Sequence, residues 1–289
     1  MSDTDSLFLS IPEIQPKNAK DAVEKSEEIA EEINNLIIDC MNTHILPKMN
    51  VPGHNETFFK SELILESLLC TNKKKKYCFK EIANEGTIHK EPIVRYTGIS
   101  VVRTNTAAWT KGFIKEIVED VALNTKLKDK FEVRRAYGNI ALKYKESLQS
   151  DTSELEFSQI GVPCKWGNTV YKRDTAELIG MKLYNTIFQD DYFKENTSGL
   201  KVPIKIKNVN DFLEKIKNYR FANNRTIGNT TIDKLTFLVV PIYHTKKILE
   251  PVLNNFSITI DTDVAWDKLV ETTLSNIIDC IKVNHGLQK

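Results

Sequence analysis

The sequence predicts an α+β fold, in which an antiparallel sheet with helices is followed by a mainly helical region. Three features predict it. Runs of strand-forming residues recur through the first hundred positions, bounded by tight-turn residues such as Asn84-Glu85-Gly86. A long stretch between the first two runs, and several stretches after position 100, carry apolar residues at three- and four-residue steps. At 289 residues, 41% hydrophobic and 27% charged, the chain is long enough to bury one large core or two modest ones.

Composition excludes more than it selects. A net charge of +1 makes no case for nucleic acid, so only the distribution of charge can. Cys40, Cys70, Cys78, Cys164 and Cys280 are scattered, odd in number and never spaced as C-x-x-C. That fits a reducing, cytoplasmic setting and gives neither a zinc site nor a disulfide framework. The five histidines show no H-E-x-x-H or other ligand spacing. No apolar run approaches membrane-spanning length, the opening residues do not read as a signal peptide, and no internal repeat is visible. No membrane partner is expected.

The chain opens Met1-Ser2-Asp3-Thr4-Asp5-Ser6-Leu7-Phe8-Leu9-Ser10-Ile11. In an extended backbone, residues i and i+2 point the same way, so Asp3 and Asp5 can face a common point just before Leu7 and Leu9 turn inward. Hard cations such as Mg²⁺ are held by carboxylates fixed in this way. Read alone, the same residues are an ordinary polar terminus with cap chemistry. Pro12 and Pro16 bracket a short connection. From Asp21 the pattern turns helical, with Ala22, Val23, Ile29, Ala30, Ile33, Leu36, Ile37 and Met41 on one side. Glu24, Glu27, Glu28, Glu31 and Glu32 form a solvated face opposite. Asp21 and Glu24 are spaced for a capping box, Pro47 ends the helix, and Pro52-Gly53 marks a turn.

Thr57 to Leu65 is rich in strand formers, and so is Tyr77 to Ile82. Between them, Lys73-Lys74-Lys75-Lys76 ends on the aromatic Tyr77 and feeds the second strand. A lysine run is usually a solvated loop. One tied to a strand holds its ammonium groups facing one way, and fixed cations contact phosphates where floppy ones only screen them. Gly98 and Arg103, read alone, belong to an ordinary strand start. A helix follows from Trp109 to Leu123, with Thr106 as its cap.

Farther on, residues 124 to 150 read as a basic helix carrying Lys126, Lys128, Lys130, Arg134, Arg135, Lys143 and Lys145. Gly161 to Asn168 reads as a loop ahead of a helix with Ala176, Leu178, Ile179 and Leu183. Gly199-Leu200-Lys201-Val202 starts a strand, and Leu235 to Pro241 is a buried one. The last helix, Trp266 to Val283, carries an apolar stripe through Leu269, Val270, Leu274, Ile277, Ile278 and Ile281, which reads as core.

Asp3-Thr4-Asp5-Ser6 before an apolar strand resembles the third conserved motif of family B DNA polymerases of the T-even phage type, usually Tyr-Gly-Asp-Thr-Asp-Ser. In that family the second aspartate binds both catalytic metals; Asp5 matches it and Asp3 matches the first, with Ser2 where Gly is usual and Met1 where Tyr is. Phe59-Lys60-Ser61-Glu62 and then Lys74-Lys75-Lys76-Tyr77 resemble the family's Lys-x-Glu strand and its Lys-Lys-Arg-Tyr motif. That match implies Glu62 as a carboxylate beside the metals. It also implies Lys74, Lys75, Lys76 and Tyr77 as primer-template contacts, with Lys76 weaker than the usual Arg at any bidentate phosphate contact. Tyr96 to Thr106 resembles Lys-x-x-Gly-Ile-Glu-x-Val-Arg-Ser, where palm gives way to thumb, and implies Arg103 as a further DNA contact. Here Ser100 stands where a carboxylate is common and Ala107 where Pro is. Lys172-Arg173 is similar to a basic segment of the family.

The resemblance implies the second half of a palm over residues 1–98 and a thumb over residues 99–289. It implies the C-terminal subunit of a split polymerase. Asp5 and Asp3, with Glu62 nearby, would hold two Mg²⁺ ions about 3.5–4 Å apart that clamp the attacking 3′-oxygen and the leaving pyrophosphate. The expected partners are an N-terminal polymerase subunit with the exonuclease, motif A and fingers, primer-template DNA, and a dNTP in the assembled site. A sliding clamp is a further candidate, although Gly286-Leu287-Gln288-Lys289 lacks the aromatic tail that some relatives use for it. A phage or other virus replicating in a host cytoplasm is the expected source. Two other classes stay open. One is a non-catalytic DNA-binding accessory protein on a palm-thumb scaffold, in which the lysines matter and Asp5 does not. The other is a phosphoryl-transfer enzyme of unrelated fold, weakened by the lack of a P-loop, nucleophile elbow or metal-ligand cluster.

Overall fold

The computed structural model describes residues 7–50, 58–149, 155–167, 174–219, 222–223, 226–227 and 230–284. The chain divides into two compact units, Met1–Thr97 with Leu123–Lys126 and Gly98–Ala122 with Leu127–Lys289. Every described strand pairing is antiparallel, and helices stand before, between and after the sheets along the chain, so the class is α+β as the sequence predicts.

The first unit begins with a segment whose facing differs from expectation. Leu7 and Leu9 are 51% and 56% exposed. Phe8 turns inward instead, its ring 5.5 Å from that of Tyr77 and 6.2 Å from that of Phe79. The stacked Tyr77–Phe79 pair offers an aromatic platform, and alternation then sends the neighbouring leucines outward. Helix α1 spans Ala19–Cys40 and is capped by Asn18, which is extended and whose side-chain oxygen accepts from the Asp21 N–H at 3.0 Å. The Asp21 carboxylate reaches back to the Lys17 N–H at 2.7 Å, so the capping pair lies one turn before the Asp21–Glu24 pair that the spacing suggested. Beyond Cys40 the helix runs through a π turn, Met41–Ile45, into Leu46–Lys48, so Pro47 sits inside the last turn. Of its apolar stripe only Ala22 is buried, while Leu36 is 71% exposed.

Three strands follow, β1 (Leu63–Cys70), β2 (Tyr77–Asn84) and β3 (Thr87–Thr97), with β2 in the middle. The first strand starts later than the strand-former run beginning at Thr57, and residues 58–62 carry no strand. Pairing decides this, because the Cys70↔Tyr77 register closes a loop after β1 and fixes which residues meet β2. Glu85 and Gly86 take φ values of 47° and 78°, the two left-handed positions that a tight hairpin turn requires. Pro92 lies on the edge strand β3, where the register slips between Ile88↔Ala83 and Ile93↔Glu81, so its missing N–H breaks no interior ladder.

In the second unit, helix α2 spans Ala108–Ile117 and continues through a π turn, Val118–Ala122. Its N-cap is Ala107, with no side-chain bond, rather than Thr106, which is buried. Then come α3 (Lys130–Gln149), α4 (Phe157–Ile160), β4 (Val162–Lys165), α5 (Ala176–Phe188) and β5 (Ser198–Ile206). The stretch read as a loop from Gly161 is thus partly a strand, because β5 offers it a pairing edge. The chain goes on through α6 (Val209–Ile216), β6 (Phe237–Val240), α7 (Lys246–Asn255), β7 (Ile258–Ile260), α8 (Thr262–Trp266) and α9 (Thr272–Asn284). Three two-residue strands, Ala222–Asn223, Thr226–Ile227 and Thr230–Thr231, pair among themselves.

Strand β5 pairs with β4, β6 and β7 and is the spine of this unit. Helix α5 packs on β6, and a second core cluster joins Trp109, Phe113, Tyr144 and Trp266. The last helix buries Leu274, Ile277 and Ile281 as its stripe predicted. Among the described residues, no helix is long and apolar enough to cross a membrane.

Two glycines press on Val239 of β6. A Cβ at Gly180 would meet Val239 Cγ2 at 2.9 Å, and one at Gly199 would meet Val239 Cγ1 at 2.6 Å and the Phe193 ring at 2.8 Å. Gly199→Ala is therefore expected to destabilise the fold by about 1–3 kcal/mol through overpacking. Gly138→Ala in α3, where a Cβ meets nothing within 4 Å, should stabilise it by about 0.5–1 kcal/mol. Urea unfolding midpoints of the two variants check both signs; equal shifts would mean that Val239 gives way freely.

Candidate nucleic-acid interface

The lysine run forms the β1–β2 loop, residues 71–76. Thr71 closes it: its N–H donates to the Lys76 carbonyl at 3.0 Å, its hydroxyl donates to the same oxygen at 2.9 Å, and the Lys73 N–H donates to that hydroxyl at 3.3 Å. A threonine can satisfy several backbone groups of a tight turn in this way. Lys75 adopts φ 57°, a left-handed conformation that disfavours a side-chain-bearing residue by about 1–2 kcal/mol. Lys74 and Lys75 are exposed and Lys76 is half-buried. Tyr77 follows as the first residue of β2, stacked on Phe79 at 6.1 Å. The loop thus holds cations at a strand end beside an aromatic surface, which suits a phosphate backbone.

Two carboxylates are built into the same sheet. Lys80 Nζ lies 3.0 Å from Glu66 Oε2, and the Thr125 hydroxyl donates to Oε1 at 2.9 Å. Burial pushes the Glu66 carboxyl up, but the bonds from Lys80 and Thr125 outweigh it and hold the group below its usual range. Glu81 is 1% exposed, with His89 Nε2 at 2.6 Å from Oε1 and Arg95 Nε donating to Oε2 at 3.3 Å. Burial again pushes its carboxyl up, and His89, Arg95 and Asn84 together bring it below the ordinary value. The sequence reading missed Glu66, Glu81, His89 and Arg95. The available signal was Glu81 itself, two residues after Phe79 at an inward position of the central strand.

The structure gathers some of the expected residues and separates others. Lys74, Lys75, Lys76 and Tyr77 lie together, and Phe8 is packed at their end of the sheet. Glu62 is exposed and precedes β1, where its carbonyl accepts from the Glu85 N–H at 2.7 Å. The eight residues of β1 separate it from the lysine loop, roughly 26 Å at ~3.3 Å per residue. Arg103 is exposed and belongs to the second unit, at the end of the short 3₁₀ turn Ser100–Val102. Asp3, Asp5, Lys172 and Arg173 lie outside the described residues. Among the described residues, no group of three or more His, Cys, Asp or Glu side chains could hold a metal ion, so these residues alone do not build a magnesium site.

The family model described as "Divergent Family B DNA polymerase" matches residues 1–265. The chain belongs to that family. Comparison with curated proteins finds no match. Membership in the polymerase family gives a DNA polymerase domain as the coarse functional class.

In this polymerase domain two paired carboxylates, half-buried Glu66 and buried Glu81, make the first unit sensitive to acid. Because Glu66 and Glu81 titrate below the ordinary 4.5, the folded chain binds fewer protons than the unfolded chain between the two values. Their stabilisation is complete above about pH 4.5 and is lost as the pH falls through the lower, folded value. Denaturant unfolding across pH 3 to 7 should therefore show stability falling on the acid side, with a shallower fall in Glu81→Gln. An identical acid slope in that variant would remove Glu81 from the account.

Proposed function

We propose that the chain is the C-terminal subunit of a split family B DNA-directed DNA polymerase. It supplies half of the palm, over residues 1–98, and a primer-template-binding thumb, over residues 99–289, to two-metal nucleotidyl transfer. The observation that carries this reading is the family match over residues 1–265, a range that includes all three resembling motifs. The placement of Phe8 against Tyr77 supports it further. The segment next to the acidic start is anchored at the lysine-loop end of the sheet, the end that suits a primer-template.

In this reading Asp3 and Asp5 hold two Mg²⁺ ions together with a carboxylate of the N-terminal partner, and the ions supply charge stabilisation to the transferring phosphoryl group. Glu62, at the far end of β1, is the member of the proposed metal set that the geometry favours least. Lys74, Lys75, Lys76, Tyr77 and Arg103 bind the primer-template. The partner brings the exonuclease, motif A and fingers, and with them the dNTP contacts; a sliding clamp is a candidate for processivity. The setting is replication of a phage or other virus in a host cytoplasm.

Primer extension tests the division of labour: the purified chain with Mg²⁺ and all four dNTPs should extend nothing, and a mixture with the N-terminal partner should extend. Activity of the chain alone would sink the split reading. Single-turnover incorporation by the complex should fall by several orders of magnitude in Asp5→Asn and less in Asp3→Asn, with DNA affinity retained. A near-wild-type rate in Asp5→Asn would leave only a DNA-binding accessory role. Replacing Lys74 and Lys75 with Ala should weaken DNA binding across sequences and lower the salt slope by about one unit per lost contact. An unchanged slope would make the run a solvated loop.

A further inference from the structure

We infer that Arg95 is a phosphate contact of the duplex, held in position by the buried carboxylate of Glu81. The inference rests on the reading of this sheet as a DNA-binding surface and adds a residue to it. Arg95 stands directly opposite Phe79 in the β2–β3 register, so it shares a face with Tyr77, Phe79 and the ring of Phe8. Its side chain is 51% exposed, whereas that of its partner Glu81 is almost wholly buried. The guanidinium is gripped through Nε, and its Nη groups make no hydrogen bond among the described residues.

That division of donors matters. Arginine presents five N–H groups in a rigid fork, and engaging Nε leaves the Nη edge to meet two oxygens of one phosphate. An ordinary surface arginine gives up rotamer freedom on binding. Here the anchor is a carboxylate on the central strand, and His89 at 2.6 Å takes its other oxygen, so Glu81 is braced from both sides. A buried carboxylate is unfavourable unless it is paired and hydrogen-bonded, and the His89–Glu81–Arg95 arrangement meets that requirement while aiming one cation outward. Glu81 and His89 are positioning residues: they act through Arg95.

The sign of one substitution separates this role from a purely structural one. Removing a negative charge near DNA tightens binding if charge alone matters. If Glu81 orients Arg95, Glu81→Gln weakens binding instead. The experiment is fluorescence anisotropy of the full 289-residue chain with a primer-template duplex over a range of KCl, with thermal unfolding of each variant in parallel. Arg95→Ala should lower the salt slope by about one unit, and Arg95→Lys should recover the slope but not the full affinity. Glu81→Gln should weaken binding by severalfold in the wild-type background and do nothing in the Arg95→Ala background. Tighter binding by Glu81→Gln would overturn the positioning role. If Glu81→Gln does not fold, the Arg95→Ala and Arg95→Lys pair decides: an unchanged slope and affinity in both overturns the inference. Should Arg95→Ala bind normally while the Lys74, Lys75 double variant does not, Arg95 fails and the lysine loop stands. No binding by the wild-type chain sinks the DNA-interface reading itself.

Discussion

The antiparallel pairing of β2 with β1 is the constraint on which the first unit depends. Cys70 opposite Tyr77 closes the chain into a loop too short to wander, and Thr71 ties that loop across its base. Four consecutive lysines would otherwise repel one another into an open coil. Here their backbone is set by a register that burial enforces, because Cys78, Phe79 and Ala83 of the central strand are all withdrawn from water. A slip of one residue would exchange the two faces of the strand, putting Lys80 where Phe79 and Glu81 now lie and Phe79 on the face where Lys80 meets Glu66, so the hydrophobic term holds the electrostatic surface in place.

The same strand distributes its charges between two faces. Lys80 and Glu81 are adjacent and so point to opposite sides of the sheet. Lys80 is spent on Glu66, and Glu81 is satisfied by His89 and Arg95. Each carboxylate is acceptable in its place only because two donors reach it, and each remains ionised for the same reason. The three strands therefore carry little net charge of their own, and the exposed cations of the strands and of the β1–β2 loop are Lys73, Lys74 and Lys75 of the loop, Lys90, and the outer edge of Arg95.

The second unit is organised by tight packing rather than by charge. Strand β5 pairs on both edges, and Val239 on the neighbouring strand is pressed between Gly180 and Gly199 with no room for another methyl group. Such close packing leaves β6 and its two neighbours little freedom to shift. Several of its exposed basic residues lie on α3, Lys143 among them, paired with Glu116 at 2.9 Å.

The chain by itself determined the class, the helices with strong apolar periodicity, the Glu85-Gly86 hairpin and the lysine loop, because each of these follows from local propensity or from a run of like residues. It also carried the resemblance to family B DNA polymerases, which needs only the order of short runs along the chain, and the family match bears out that family. Tertiary structure decided the rest. The first strand begins at Leu63 because pairing, not composition, sets where a strand starts. Phe8 rather than Leu7 or Leu9 turns inward because two rings on β2 were waiting for it. Glu62 and Lys74 are twelve positions apart in sequence, and β1 puts them beyond its opposite ends. The Glu81–His89–Arg95 group was invisible for the converse reason: its members are brought together only by the hairpin, and a sequence records neither which face a residue takes nor who stands across from it.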